Sequence, residues 1–176
     1  MQTRQHFAVA PWNRTLKVVS LLGTAFIMVG GAVAYSKIST FSGFPLVFGY
    51  GIISVFPAIL IFSLLFMVTG YSVEGNILQI ERLFWSTPVS LEGLGRVWQE
   101  PAVCKGSIRL FGNGGLYSFT GVYQNRTLGR YRLYATDLGK STVLVLPGRT
   151  VVVTPLSPQT FIDYLRHQFP MIEEKG

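Results

Sequence analysis

Cysteine is almost absent from the chain: Cys104 stands alone among 176 residues. A lone thiol has no intrachain partner, so a disulfide-held scaffold is excluded. Histidine is nearly as scarce. His6 and His167 lie far from Cys104 and from each other, and no paired ligand spacing appears, so no metal and no other cofactor is expected. Charge is thin, at 13% of residues, roughly half the ~25% usual for globular chains. With 49% hydrophobic residues, that balance excludes a disordered tail protein. Acids are missing from the first part of the chain altogether, since all eight lie at or after Glu74. There Arg4, Arg14, Lys17 and Lys37 stand unopposed, whereas from Gly70 onward 11 Lys/Arg face the 8 acids and leave only +3. The net charge of +7 therefore needs no nucleic-acid-binding surface to explain it.

Two stretches lack charge of either sign. Residues 18–35 read VVSLLGTAFIMVGGAVAY and residues 46–69 read LVFGYGIISVFPAILIFSLLFMVT, with Lys37 the one charge between them. As helices they would measure roughly 27 Å and roughly 36 Å at 1.5 Å per residue. Both lengths suit a hydrocarbon core of about 30 Å, the second with some tilt. A buried helix of a soluble core would carry a polar stripe, and neither stretch does. Pro57 is tolerated in a membrane helix and predicts a kink there. Gly30 and Gly31, with Gly49 and Gly51, offer small surfaces where two helices can approach. No ionisable residue lies deep in either stretch, so neither supplies a proton or ion carrier. They read as anchors.

Their flanks predict an orientation. Arg4, Arg14 and Lys17 precede the first span, against Lys37 alone in the connection 36–45. The positive-inside rule then expects residues 1–17 as a cytoplasmic tail, 18–35 and 46–69 as spans, 36–45 as an external loop, and the remainder cytoplasmic. Ala32-Val33-Ala34 competes as a signal-peptidase site. Cleavage there would still leave the C-terminal domain in the cytoplasm.

From Gly70 the pattern changes to strand. The 107 residues 70–176 suffice for one compact domain with its own core. Leu78 and Ile80 alternate with Gln79 and Glu81, and Glu74-Gly75-Asn76 reads as a hairpin turn. Further strands are expected near 86–91, 96–99, 107–111, 116–120, 130–135, 142–146 and 150–153, with Asn113-Gly114 and Pro147-Gly148 as tight turns. Ser157 reads as a helix cap, with Pro158 first in the helix and Phe161, Ile162, Leu165 and Phe169 on one face. Pro170 ends it. The fold class expected is a two-helix transmembrane anchor followed by a mainly-β barrel of about seven antiparallel strands plus a C-terminal α-helix.

These residues carry a family resemblance. Gly70-Tyr71-x-Val73-x-Gly75-x-x-Leu78-x-Ile80-x-Arg82 followed by Pro88-Val89-Ser90-Leu91 resembles the opening of bacterial pleckstrin-homology-like (PH-like) domains. Arg109-Leu110-Phe111-Gly112-x-Gly114-Gly115-Leu116 and Leu128-Gly129-x-Tyr131-x-x-Tyr134-Ala135-Thr136-Asp137 strengthen it, as do Val153-x-Pro155, Pro158 and Phe161. The resemblance covers about 70–169, leaves 170–176 as a tail, and includes members with two membrane helices ahead of the domain. It implies a bent seven-stranded sheet capped by a helix, acting in binding and assembly rather than in catalysis.

The candidate sites follow. Gly139-Lys140-Ser141-Thr142 lacks the first glycine of a phosphate loop, because Tyr134 stands there, and the following residues are strand-like. Gly112-Asn113-Gly114-Gly115 is a turn, with no strand-to-helix unit around it. Lys105 beside Cys104 could lower the thiol's pKa, but a structural cysteine fits better. Asp137 and Glu81 stand without an acid/base companion, so no enzyme is expected. On a strand, Arg130 and Arg132 share one face while Tyr131 and Leu133 take the other. With Arg126, Lys105, Arg109 and Lys140 they form the candidate lipid- or partner-binding set, suited to anionic headgroups. Lipid-binding eukaryotic relatives carry basic residues in the first hairpin, where this chain has Glu74-Gly75-Asn76. The reading is a membrane-anchored, non-catalytic scaffold at the cytoplasmic face of a bacterial inner membrane, recruiting a protein partner or self-associating. An anionic-lipid sensor is the alternative, with an accessory transport subunit behind it.

Overall fold

A computed structural model describes residues 4–38, 40 and 44–170. Parts of the expected tail 1–17 and loop 36–45, and most of the tail 170–176, lie outside the described residues. Helix α1 runs Arg14–Ile38 and α2 runs Phe44–Leu65. Asn13 starts α1, its side-chain oxygen accepting from the Leu16 amide at 2.7 Å, which satisfies one of the orphan donors of a helix start. Both helices are long and apolar enough to cross a membrane. Phe26 is 79% and Leu21 71% exposed, so α1 is no buried core helix. The two helices meet where the sequence offers small residues: Gly30 and Gly31 face Phe56, and Gly49 faces Ile38. Gly51 faces open space, and α2 continues through Pro57.

The domain that follows has two sheets and a closing helix. Strands β2 (Gly70–Glu74), β3 (Ile77–Glu81) and β4 (Ser86–Ser90) form an antiparallel meander. Gly75, at φ +55°, supplies the left-handed conformation that the two-residue turn between β2 and β3 needs. The second sheet contains β5 (Arg96–Gln99), β6 (Ile108–Gly114), β7 (Phe119–Asn125), β8 (Gly129–Ala135), β9 (Thr142–Leu146) and β10 (Arg149–Val153), in the order β5-β9-β10-β8-β7-β6. Helix α3, Pro158–Gln168, buries Phe161, Ile162 and Leu165 against the core. Ser157 stands at its N-cap with no side-chain capping bond.

Three features differ from the sequence expectation. The N-terminal segment is part of the fold: Gln5–Ala8 forms strand β1, paired antiparallel with β2. Val9 then bridges Pro155, the Ala10 amide donates to Thr154 O at 2.8 Å, and the Leu156 amide donates to Ala8 O at 2.8 Å. Residues 5–10 therefore link the small sheet to the end of β10, with Phe7 packed edge-on against Phe161, ring centroids 5.0 Å apart. Second, not all strands are antiparallel. The β9–β10 hairpin folds back so that β10 slots between β9 and β8 and runs parallel to β8. Third, Asn113 and Gly114 end β6 instead of forming its turn, which lies at 115–118. The β6–β7 ladder bends at Gly112 opposite Gly121, with φ of +107° and +142°. Any Cβ there would run into the facing backbone.

The core follows the alternation of side chains along each strand. One face of the six-stranded sheet sends Val97, Leu144, Val151, Val153 and Tyr134 against Tyr71, Leu78, Ile80 and α3. The other face, with Tyr131, Leu133, Val143 and Val152, is covered by Val103 and Cys104 from the loop after β5. Burial raises the Cys104 thiol pKa. Desolvation outweighs the hydrogen bonds with Ser141 and Tyr131 that would lower it, the direction expected of a thiol withdrawn from water.

Candidate functional site

Tyr134 stands where the core face of the large sheet stops being core. Farther along that face, toward β7 and β6, come Arg132, Val122 and Phe111, each on the strand position that pairs with the next. The end of α2, with Ile59 and Phe62, and Phe66 just after it form the opposite wall. Between them lies a groove of about 700 Å³, within the ~300–1,000 Å³ range of ligand pockets.

Three arginines line this groove: Arg82, Arg109 and Arg132. Arg82 directly follows β3. Its Nε donates to Thr87 Oγ1 at 3.0 Å and its Nη1 to the Phe66 carbonyl. The guanidinium carbon sits 5.3 Å from the Phe66 ring centroid and 5.7 Å from that of Tyr134, inside cation–π range. Burial draws its pKa below the ordinary arginine value, opposed by Tyr134 and Tyr71. It stays charged. Arg109 lies at the β6 bulge, paired with Tyr123, and its guanidinium lies over Gly114, where a Cβ would collide with it. Arg132 is exposed on β8. Among the described residues no salt bridge is found to any of the three, and the nearby Glu81 carboxylate is taken up by Arg4 and His6, each at 2.8 Å.

The six basic residues singled out from sequence separate in space. Arg109 and Arg132 reach the groove. Arg130 is exposed two positions before Arg132 on the same strand face, opposite Gln124. Arg126 is exposed in the β7–β8 turn, and Lys105 is exposed in the loop that covers the other face of the sheet. Lys140 Nζ donates to the Leu156 carbonyl at 2.7 Å. Arg82 enters the sequence reading only as a residue of the family motif and is missing from the candidate site residues. A signal was present: Arg82 precedes the apolar run Leu83-Phe84-Trp85, an arrangement suited to a chain lying beside a bilayer.

Exposed aromatic side chains lie in and next to the groove: Phe111 lines it, and Phe84 and Trp85 closely follow Arg82 in the chain. Phe84 is 76% and Phe111 78% exposed, and Trp85 packs edge-on against Phe66, ring centroids 5.2 Å apart. Contacts with α1 fix the depth of the β6–β7 loop. Ser20 Oγ donates to Gly115 O at 3.1 Å and accepts from the Tyr117 amide at 2.9 Å, while Thr24 Oγ1 and Tyr117 Oη are 2.9 Å apart. The loop therefore sits beside residues 20–24 of an apolar helix. On the reverse face, Ser107, Tyr123 and Tyr131 line a smaller pit of about 340 Å³. Burial pushes the Tyr123 phenol up to about 12, so it is neutral at ordinary pH. Among the described residues no three His, Cys, Asp or Glu side chains gather as a metal site.

Residues 69–169 match a family model described as a bacterial PH domain. No curated protein and no solved structure matches the chain.

Proposed function

The chain belongs to the bacterial PH domain family, and from that premise we propose that it is a membrane-anchored, non-catalytic interaction module, its PH-like domain held against the cytoplasmic leaflet. The observation that carries this reading is the open edge of the large sheet. Among the described residues β6 ends the sheet with no strand beyond it, and Ile108 and Leu110 on it are 70% and 50% exposed. An unpaired apolar edge is a template for strand addition by a second chain. The β1 pairing and the Ser20 contacts hold this edge in one orientation relative to α1, which suits a scaffold that presents a partner site at a set height. The same contacts support 14–38 as a retained span. Arg4, Arg14 and Lys17 ahead of α1, against Lys37 alone in the connection after it, support a cytoplasmic N-terminus.

The test is photo-cross-linking in native membranes, with a benzophenone side chain at position 108 or 110 of the full-length protein. A discrete protein adduct is expected, at twice the chain's mass if the occupant is a second copy. Lipid adducts alone at both positions would overturn the partner reading. The three arginines of the groove favour a second reading, contact with anionic lipid, which has its own test.

A further inference from the structure

We propose that the groove between α2 and the β6–β8 face is a binding site for one anionic phospholipid drawn from the adjoining leaflet. This goes beyond a partner at the β6 edge and does not depend on it. The groove combines two chemistries that seldom meet by chance. Ile59 and Phe62 of one wall belong to α2, a helix apolar enough to cross a membrane, and Phe66 follows directly after its end. Ile59 lies six residues before the end of α2, about 9 Å at 1.5 Å per residue, so the apolar wall continues from the domain into the span. An acyl chain can follow it without leaving hydrocarbon.

The opposite wall supplies charge of one sign. Arg82, Arg109 and Arg132 line the same space, with no carboxylate bridged to any of them among the described residues. Arg82 is already held by Thr87 and the Phe66 carbonyl, and so acts as a fixed positive floor. Arg109 and Arg132 have side-chain donors to spare, and a guanidinium presents them in the fork geometry that phosphate oxygens accept. A soluble anion would gain nothing from the phenylalanines, and a zwitterionic lipid would bring its own cation to the arginines. An anionic phospholipid satisfies both walls, with its phosphate at Arg109 and Arg132 and its chains along α2.

The experiment is native mass spectrometry of the full-length protein in mild detergent, titrated with phosphatidylglycerol and with phosphatidylcholine of identical chains. One retained phosphatidylglycerol is expected, favoured at least about tenfold over phosphatidylcholine. The double variant Arg109→Gln/Arg132→Gln should weaken phosphatidylglycerol about thirtyfold and leave phosphatidylcholine unchanged. Ser63→Trp, which fills the groove from α2 and keeps the arginines, should remove the adduct; thermal melting confirms that each variant is folded. Equal retention of the two lipids overturns the proposal, and so does an adduct that survives either variant. Oleate held as tightly as phosphatidylglycerol would overturn the phospholipid assignment in favour of any single-chain anion. None of these outcomes alters the protein cross-links expected from positions 108 and 110, so the two readings fail separately.

Discussion

Glu81 and Arg82 are neighbours with opposite surroundings. Burial alone would raise the Glu81 pKa, but hydrogen bonds from Ser72, Arg4 and His6 outweigh it and hold the carboxyl below its ordinary 4.5. A lowered acid stabilises the fold above its unfolded-state pKa and loses that contribution as pH falls through the folded value. Docking of β1 should therefore be complete at neutral pH and loosen only below about pH 4.5. Arg4 and His6 are more than half exposed, so each pair contributes at most about 1 kcal/mol. Glu81→Gln is expected to speed amide exchange across residues 5–8 about fivefold at neutral pH, read by hydrogen–deuterium exchange, and to flatten its acid dependence. Unchanged exchange would mean that backbone pairing and Phe7 alone hold the strand. Glu81 looked solitary in the sequence because Arg4 and His6 lie more than seventy positions away, a separation that no local pattern reports.

Among the elements, α1 is apolar enough to cross a membrane and also packs against the domain. Ser20 is 3% exposed and satisfies two backbone groups of the β6–β7 loop at once. Ser20→Ala leaves both groups buried and unpaired at a cost of about 1–3 kcal/mol, and should lower the melting temperature by several degrees. The loop at 115–118 should also become the first site of protease cleavage. A melting curve matching that of the parent would detach α1 from the domain's stability. In the sequence Ser20, Gly23 and Thr24 fall at i, i+3 and i+4, one small and polar face within an apolar helix. Three positions on one face of so apolar a stretch fall short of the polar stripe of a soluble core helix, so the sequence pattern alone does not set this face apart. Both helices, the strands from 70 onward and α3 were legible for the same reason: each declares itself by a period or an apolar run. β1 was not, since the reason for its pairing lies in β2, more than sixty positions farther along the chain. Alternation did separate Arg130 and Arg132 from Tyr131 and Leu133. What brings Arg109 and Arg82 into one groove with Arg132 is the β6 bulge and the approach of α2, and neither is written locally.

At the scale of the whole molecule, orientation is open to direct measurement. In a Cys104→Ser background, Thr40→Cys is expected to react with a membrane-impermeant maleimide in intact cells, and Gln124→Cys only after permeabilisation. The reverse pattern would invert the molecule and remove the cytoplasmic placement. Thr40 and Gln124 are both exposed, so failure to label reports the membrane and not burial.

The β1–β2 pairing carries one more consequence. β1 is synthesised before both helices and β2 after both, yet they hydrogen-bond register for register, Gln5 opposite Val73 through Ala8 opposite Gly70. The ladder can close only when the chain has crossed the bilayer an even number of times between them. A molecule threaded by a single helix would strand β1 on the wrong side and leave β2 with a bare edge. The sheet is thus a parity check on insertion: it completes itself only on chains that have returned to the side from which they set out.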